Sequence, residues 1–295
     1  MKKYLSKYSF LLLLGLEFLI FQMGLCQEVT IIQKQKYKAS EEKRGDLANI
    51  IPQDGHTAEV NCILFTPDQK NLVSAARDNL IKIWDVASGG VIRTISSPDN
   101  STVETLAIST DGKLLFGGVY GKRKGENIKD YQSNIYLWEL SSGRLVKTFV
   151  GHNKRVSEIS LLPDGKRFIS ASEDKTIKIW DIQSGKNILT IDGHQYPINA
   201  IALSEDEKSV YAGGGEMGPI YVPKYGEKSN PPPKRKEMIQ WDLKTGKLIR
   251  RLNGTEDIVN DMTLLSESNQ LAVASESGNI DIYSIGTGSK VKSYP

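Results

Sequence analysis

The stretch Gly151–Asp181, GHNKRVSEISLLPDGKRFISASEDKTIKIWD, decides the fold because its parts recur along the chain. It opens with Gly-His, continues as an alternating run that ends in Pro-Asp-Gly, and closes with a second run that ends in Trp-Asp. The Trp-Asp position returns at intervals of 54, 42, 61 and 42 residues, at Trp84, Trp138, Trp180, Trp241 and, in degenerate form, Tyr283. The Gly-His position returns in step with it, at Gly55, Gly151, Gly193 and the degenerate Gly254. A unit of about 42 residues at a steady period indicates a repeat architecture.

Each unit has the pattern of four short β-strands. In the third unit, alternating or β-branched runs of five to seven residues are separated by turn residues, and they lie at Arg155–Leu161, Arg167–Ser172, Thr176–Trp180 and Asn187–Ile191. Short alternating runs bounded by Gly, Asp and Pro are typical of antiparallel hairpins. One such sheet is only marginally stable alone, so we expect successive sheets to stack on each other.

These units resemble those of the WD-repeat β-propellers. Three copies carry the full Gly-His … Trp-Asp frame and two are degenerate, and the resemblance covers Gly55–Pro295. It implies an all-β fold of four-stranded antiparallel blades around a central axis. The predicted blades are five, at residues 54–95, 96–149, 150–191, 192–252 and 253–295. Since WD-repeat propellers most often have about seven blades, we expect an incomplete propeller, either a fragment or a protein completed by a partner.

Residues 1–26 are predicted to be a signal peptide. Three lysines precede the apolar core Phe10–Phe21, and the small residues Gly24 and Cys26 follow it. An uncleaved N-terminal anchor and a lipidated Cys26 remain as alternatives. We therefore expect export to the periplasm, the outer surface or the medium. Residues 27–53 are predicted to be a polar lead-in whose end, Leu47–Ile51, could supply a closing strand.

The repeated polar residues favour structure over catalysis. A buried indole N–H, hydroxyl, imidazole and carboxylate can satisfy one another in a chain of hydrogen bonds, and the resemblance implies this role. The residues predicted to form such networks are His56, Ser74, Asp78, Trp84, His152, Ser170, Asp174, Trp180, His194 and Trp241.

No residue pattern predicts an active site. All three histidines follow a repeat glycine, so none is left for acid–base chemistry or for a metal. Cys62 is predicted to be a small buried side chain, and no phosphate loop or dinucleotide fingerprint is present. We therefore expect no catalytic residue, no metal and no cofactor.

Two insertions, Tyr120–Asn134 and Gly214–Glu237, depart from the regular unit. Both fall between the second and third strands, so both emerge on the same face of the propeller. Each contains a Lys-Arg-Lys triplet and two tyrosines, residue types suited to binding. The candidate partner-binding residues are Tyr120, Lys122, Arg123, Lys124, Tyr131, Tyr221, Tyr225, Lys234, Arg235 and Lys236. The alternative is two solvated loops without a ligand.

The pattern as a whole predicts a non-catalytic scaffold that binds an acidic peptide, a polyanionic glycan or a protein on that face. The net charge of +3 over 295 residues gives no general electrostatic reason to bind nucleic acid, and a membrane would be met only through the N-terminal segment. Two alternatives remain, namely the recognition part of a longer enzyme and a ligand-binding or hydrolytic propeller that uses carboxylates in its central channel.

Overall fold

The computed structural model describes residues 55–123, 131–218, 234–254, 257–265 and 268–295. The predicted signal peptide, lead-in and closing strand lie outside these residues. The described chain is folded into five antiparallel sheets in sequence order, which we call blades 1 to 5. The predicted all-β class and the five four-stranded blades are thereby confirmed.

Blades 1, 3 and 5 are regular, and in each of them short turns connect four consecutive strands. Blade 1 comprises β1 (Val60–Phe65), β2 (Asn71–Ala76), β3 (Leu80–Asp85) and β4 (Val91–Ser96). Blade 3 comprises β10 (Val156–Leu161), β11 (Arg167–Ser172), β12 (Ile177–Asp181) and β13 (Asn187–Ile191). Blade 5 comprises β18 (Val259–Leu265), β19 (Gln270–Ser275), β20 (Ile280–Ser284) and β21 (Lys290–Tyr294).

Blades 2 and 4 carry the insertions. Blade 2 comprises β5 (Thr102–Ile108), β6 (Leu114–Tyr120), the two-residue β7 (Lys122–Arg123), β8 (Tyr131–Glu139) and β9 (Leu145–His152). Blade 4 comprises β14 (Ile198–Leu203), β15 (Ser209–Met217), β16 (Lys234–Asp242) and β17 (Leu248–Leu252). The insertions were expected as loops, but their described ends are paired strand, since Met217 lies opposite Lys234 and Arg123 opposite Tyr131. Both insertions therefore rise from the blades as extended hairpins.

The core lies between neighbouring blades. Middle strands such as β11 are buried on both faces, from Phe168 to Ser172, whereas the outer strand β13 is mostly exposed. In blades 2 to 5, the aromatic ring at the Trp-Asp position packs on the preceding blade, as Trp180 does on Phe116 and Phe149 of blade 2. The first strands of successive blades lie side by side around the axis, but β1 and β18 do not pack in this way. The array is thus an open propeller.

Candidate functional site

The networks of blades 1 and 3 have the same geometry. In blade 3, the indole Nε1 of Trp180 donates to Ser170 Oγ over 2.8 Å, and that oxygen lies 2.8 Å from His152 Nε2. His152 Nδ1 lies 2.7 Å from Asp174 Oδ2. In blade 1, Trp84 donates to Ser74 over 2.8 Å, and His56 bridges Ser74 and Asp78 at 2.7 and 2.9 Å.

The chemistry of the end groups gives the direction of two of these bonds. The indole can only donate and the carboxylate can only accept, so Trp180 donates to Ser170 and His152 donates from Nδ1 to Asp174. Burial acts to raise the pKa of Asp174, but hydrogen bonds from His152, Thr176 and the backbone N–H of Asn153 prevail and lower it to about 2. The serine is completely buried, and its hydroxyl is hydrogen-bonded to both Trp180 and His152. An arrangement of this kind holds the turns of a blade together and offers no free nucleophile.

Blade 4 has a related network in which a glutamate takes the place of the aspartate. Ala212 stands at the serine position, so the indole of Trp241 donates directly to His194 Nε2 over 2.9 Å. His194 Nδ1 lies 3.2 Å from Glu237, which also accepts the backbone N–H groups of Gln195 and Tyr196. Burial opposes the charge on Glu237, yet these donors and Arg251 lower its pKa to about 2.

Glu237 is a structural residue that the sequence pattern did not identify. The other acids belong to the turn between the second and third strands, whereas Glu237 lies in strand β16 beside the insertion. The usual acid position of blade 4 holds Glu216, which lies in the extended strand β15 opposite Arg235, so the partner of His194 is Glu237 instead.

Blades 2 and 5 lack the network for steric and chemical reasons. A side chain at Gly117, the serine position of blade 2, would place its Cβ 2.8 Å from the Trp138 ring. In blade 5 the acid position is Ser277, whose hydroxyl lies 2.8 Å from that of Ser275. Tyr283 fills the indole position there and is completely buried.

The candidate partner-binding residues are only partly within the described chain. Tyr120 is described, and about half of its surface is exposed. Lys122, Arg123 and Tyr131 are described as backbone in β7 and β8, where they pair across the hairpin. Lys124, Tyr221 and Tyr225 lie outside the described residues.

The triplet of blade 4 belongs to strand β16 and has acidic neighbours. Lys234 Nζ lies 2.5 Å from Asp257 and 3.8 Å from Glu276, both of blade 5, and the bond to Asp257 raises the lysine's pKa. Arg235 lies 3.8 Å from Glu216 on the opposite strand, and its side chain is 45% exposed. The hairpin therefore leans over blade 5, and part of its positive charge is neutralised within the chain.

Two carboxylates of the inner strands have raised pKa values, and the sequence pattern did not single them out: Glu158 of β10 and Asp261 of β18. Burial, followed by the nearby charge of Asp261, raises the pKa of Glu158 well above its usual range, while the N–H of Ile201 acts against this. Burial also raises the pKa of Asp261 and brings that of Cys62 to about 11. Among the described residues, no group of three or more metal-ligating side chains is assembled.

Comparison with known proteins gives the same architecture. A family model described as "WD domain, G-beta repeat" matches residues 49–85 and 143–181. The chain is 28% identical to the nuclear distribution protein nudF of Emericella nidulans, over 45% of this chain and 42% of that protein. It is 32% identical to the U3 small nucleolar RNA-interacting protein 2 of Homo sapiens (43% and 26%), and 27% identical to a guanine nucleotide-binding protein subunit beta of Oryza sativa subsp. indica (42% and 32%).

The open array of four-stranded blades with buried Trp–His–acid networks defines a β-propeller of the repeat class. Together with the matched repeats, it shows that the chain belongs to the WD-repeat family. The matched part of the chain covers less than half the length of each of these three relatives.

The predicted export from the cell is wrong. The relatives are named for nuclear distribution, for a small nucleolar RNA and for a guanine nucleotide-binding protein, which points to a location inside the cell. The prediction of export rested only on the composition of residues 1–26, in which three lysines precede a short apolar run. Within the part of the chain that the structure describes, no helix is long and apolar enough to cross a membrane.

Proposed function

We propose that the chain is a non-catalytic protein–protein interaction scaffold and that its partner binds the face from which the two hairpins rise. The observation that carries this proposal is that both insertions continue a blade as paired strand on the same face of a rigid frame. Binding residues are commonly placed on such extensions of a stable scaffold.

The names of the relatives support an interaction role. One is called a subunit and another is called RNA-interacting, so each is named for an association with another molecule. Catalysis is not part of the proposal, because His56, His152 and His194 are each engaged with a buried partner.

The proposed contact residues remain the tyrosines and the two basic triplets of the hairpins. Tyr120 and Met217 are each 48% exposed and supply apolar surface at the described ends of the two hairpins. Arg235 offers a planar donor that is free to exchange its 3.8 Å contact with Glu216 for a partner's carboxylate. The full set is Tyr120, Lys122, Arg123, Lys124, Tyr131, Tyr221, Tyr225, Lys234, Arg235 and Lys236.

We expect the partner to be a protein or peptide with acidic groups opposite blade 2. The triplet of blade 4 shares its charge with Glu216, Asp257 and Glu276, so it contributes less to long-range attraction than its composition suggests. Salt should therefore weaken binding only moderately, since few uncompensated charges are involved.

Affinity capture with three versions of the tagged chain tests this proposal. The test variant is Lys122→Glu with Arg235→Glu, and the matched control is Lys166→Glu with Lys186→Glu, which makes the same charge change on the exposed turns of the opposite face. We expect proteins that the wild-type chain and the control retain in equal amount and that the test variant loses. If all three versions capture the same proteins in the same amounts, the hairpin face is not the binding site.

A further inference from the structure

A pocket of about 330 Å³ lies between blades 1 and 2. Its lining comes from the turn between β1 and β2, the turn between β5 and β6, the residues that follow β8, and parts of β3 and β4. The hairpins lie between the second and third strands of their blades, so they rise at the other end of the antiparallel sheets. Pockets that bind small ligands begin at about 300 Å³, so this pocket has room for one long side chain. We call it the blade 1–2 pocket.

The blade 1–2 pocket has an apolar floor and an acidic mouth. Ile83 and Leu140 are only 4% and 8% exposed, so they form the floor. Asp68 and Asp111 are exposed, so they lie at the mouth, one on each blade. A long basic side chain suits a site of this kind, because it has an aliphatic stem and a charged end.

Two contacts between the blades form the walls of the pocket. On the inner side, Gly112 lies against Pro67, since a Cβ on this glycine would be 3.6 Å from the proline ring. On the outer side, Arg93 donates to the carbonyls of Ser141 and Ser142, each at 2.9 Å. The guanidinium of Arg93 is thus bound to backbone carbonyls of blade 2, and it forms part of the wall.

Asp68 lacks the cation that its counterpart in blade 3 has. The two turns begin alike, with Pro-Asp, and in blade 3 Arg167 Nε lies 2.5 Å from Asp164. Blade 1 has Asn71 where blade 3 has Arg167, and both residues open the second strand. Among the described residues, Asp68 has no ion-pair partner and the side-chain amide of Asn71 has no hydrogen-bond partner. This turn therefore keeps the acid of the blade 3 pair without its arginine.

Both carboxylates at the mouth are charged at neutral pH. In each turn, the hydroxyl two residues before the aspartate and the backbone N–H two residues after it donate to the carboxylate, and these bonds lower the pKa of Asp68 and of Asp111. Lys113 Nζ lies 3.5 Å from Asp111, but an exposed pair of this kind is weak, so another cation can replace the lysine.

We propose that the blade 1–2 pocket binds an arginine side chain of a protein partner. The stem of this arginine lies on Ile83 and Leu140, and its guanidinium lies at the mouth beside Asp68 and Asp111. A planar fork of five donors can serve both carboxylates and the amide oxygen of Asn71 at once, whereas a lysine carries its three donors on a single nitrogen. The site lies apart from the hairpins, so it does not depend on the function proposed above.

Titration of the isotope-labelled chain with N-acetyl-arginine amide, followed by NMR spectroscopy, tests the proposal. N-acetyl-citrulline amide is the control probe, because it has nearly the same shape without the charge. We expect the arginine probe to shift the signals of the Gly112 N–H and of the Asn71 side-chain amide with a Kd of about 1 mM. The citrulline probe should bind at least about tenfold more weakly, since it cannot pair with the carboxylates as a cation.

Two variants remove the site in different ways. Asn71→Arg supplies an arginine from within the chain, as in blade 3. Asp68→Asn with Asp111→Asn removes the charge and keeps an oxygen to accept the bonds within each turn. The control is Asp206→Asn, the same change in the corresponding turn of blade 4, where the carboxylate makes the same two bonds. Read from the Gly112 signal, both test variants should bind the arginine probe at least about tenfold more weakly, and the control should bind it as the wild-type chain does.

Wild-type affinity in either test variant would overturn the proposal. Equal binding of the two probes would overturn it as well, and so would a titration that leaves the Gly112 and Asn71 signals unshifted. Unchanged melting temperatures would show that the variants fold. The hairpin variant Lys122→Glu with Arg235→Glu should bind the arginine probe with an unchanged Kd, so a failure of this site can be distinguished from a failure of the hairpin face.

Discussion

Replacing Asp174 with Asn measures how much the charged acceptor contributes to the stability of blade 3. Asp174 Oδ2 faces His152 Nδ1 at 2.7 Å and the N–H of Asn153 at 3.2 Å. Its Oδ1 accepts the N–H of Thr176 at 3.0 Å and the hydroxyl at 2.6 Å. An amide has one oxygen, so in either orientation its NH₂ group meets donors and at least one N–H loses its acceptor. Since such a loss costs about 1–3 kcal/mol, we expect Asp174→Asn to lower the free energy of unfolding by about 3 kcal/mol at neutral pH.

The pH dependence gives an independent measure of the same interaction. The pKa of Asp174 is lowered from 3.8 to about 2, so its contribution is complete above pH 4 and is lost as the pH falls from about 4 to about 2. Asn does not titrate. The difference in stability between the two proteins should therefore shrink by at most about 2 kcal/mol over this range.

Urea denaturation followed by tryptophan fluorescence, at neutral pH and near pH 2, measures both quantities. Asp164→Asn is the matched control, because Asp164 accepts two backbone N–H groups in an exposed turn outside the network. We expect the control to cost about 1 kcal/mol or less. A neutral-pH loss for Asp174→Asn no larger than that of the control would refute the argument, as would a difference that does not depend on pH.

Three further predictions concern the other blades. Glu237→Gln should lower the free energy of unfolding by about 2 kcal/mol in urea denaturation, because the pKa of Glu237 near 2 reflects a charge that His194 and backbone N–H groups stabilise; an unchanged midpoint would contradict this. Gly117→Ser should destabilise the chain by about 2 kcal/mol in a thermal melt and not restore a network, because the added Cβ lies 2.8 Å from the Trp138 ring; a higher melting temperature would show that the ring can move. Arg93→Met should lower the free energy of unfolding by about 1 kcal/mol and speed amide hydrogen exchange in the last turn of blade 2, because Arg93 donates to two backbone carbonyls of that turn. Exchange at the wild-type rate would show that these hydrogen bonds do not stabilise the turn.

The blades could be predicted because their signals are local. The turns of blade 3, with Pro163-Asp164-Gly165 and Glu173-Asp174-Lys175, lie within a few residues of the strands that they join. Because the same pattern returns five times along the chain, it predicts five sheets of the same kind. The family and the fold followed from these short-range patterns.

The sequence analysis missed Glu237, the acid of blade 4, because its contact with His194 exists only in the folded chain. Glu237 and His194 are 43 residues apart and meet only because β16 begins beside the loop that carries the histidine. The role of Arg93 could not be predicted for the same reason, because it binds backbone carbonyls of the next blade, and every residue carries a backbone carbonyl. The basic triplet Lys234–Lys236 was expected in a loop, and neither its place in strand β16 nor the pairing of Lys234 with Asp257 of another blade could be seen in the composition of either segment.

The most direct test of the central claim, that the hairpins bind and the blades support them, is to shorten both hairpins. Met217 lies opposite Lys234 and Arg123 opposite Tyr131, so an Asn-Gly turn can replace the residues between each pair without changing the strand register. This replacement removes Lys124, Tyr221 and Tyr225, and the shortened chain also carries Lys122→Glu and Arg235→Glu to disrupt the contact residues that remain at the hairpin ends. Its affinity for a protein captured by the wild-type chain would be measured by titration, together with its melting temperature. We predict that the Kd rises at least about tenfold while the melting temperature changes by no more than about 4 °C. An unchanged Kd for a folded, shortened chain would contradict the claim.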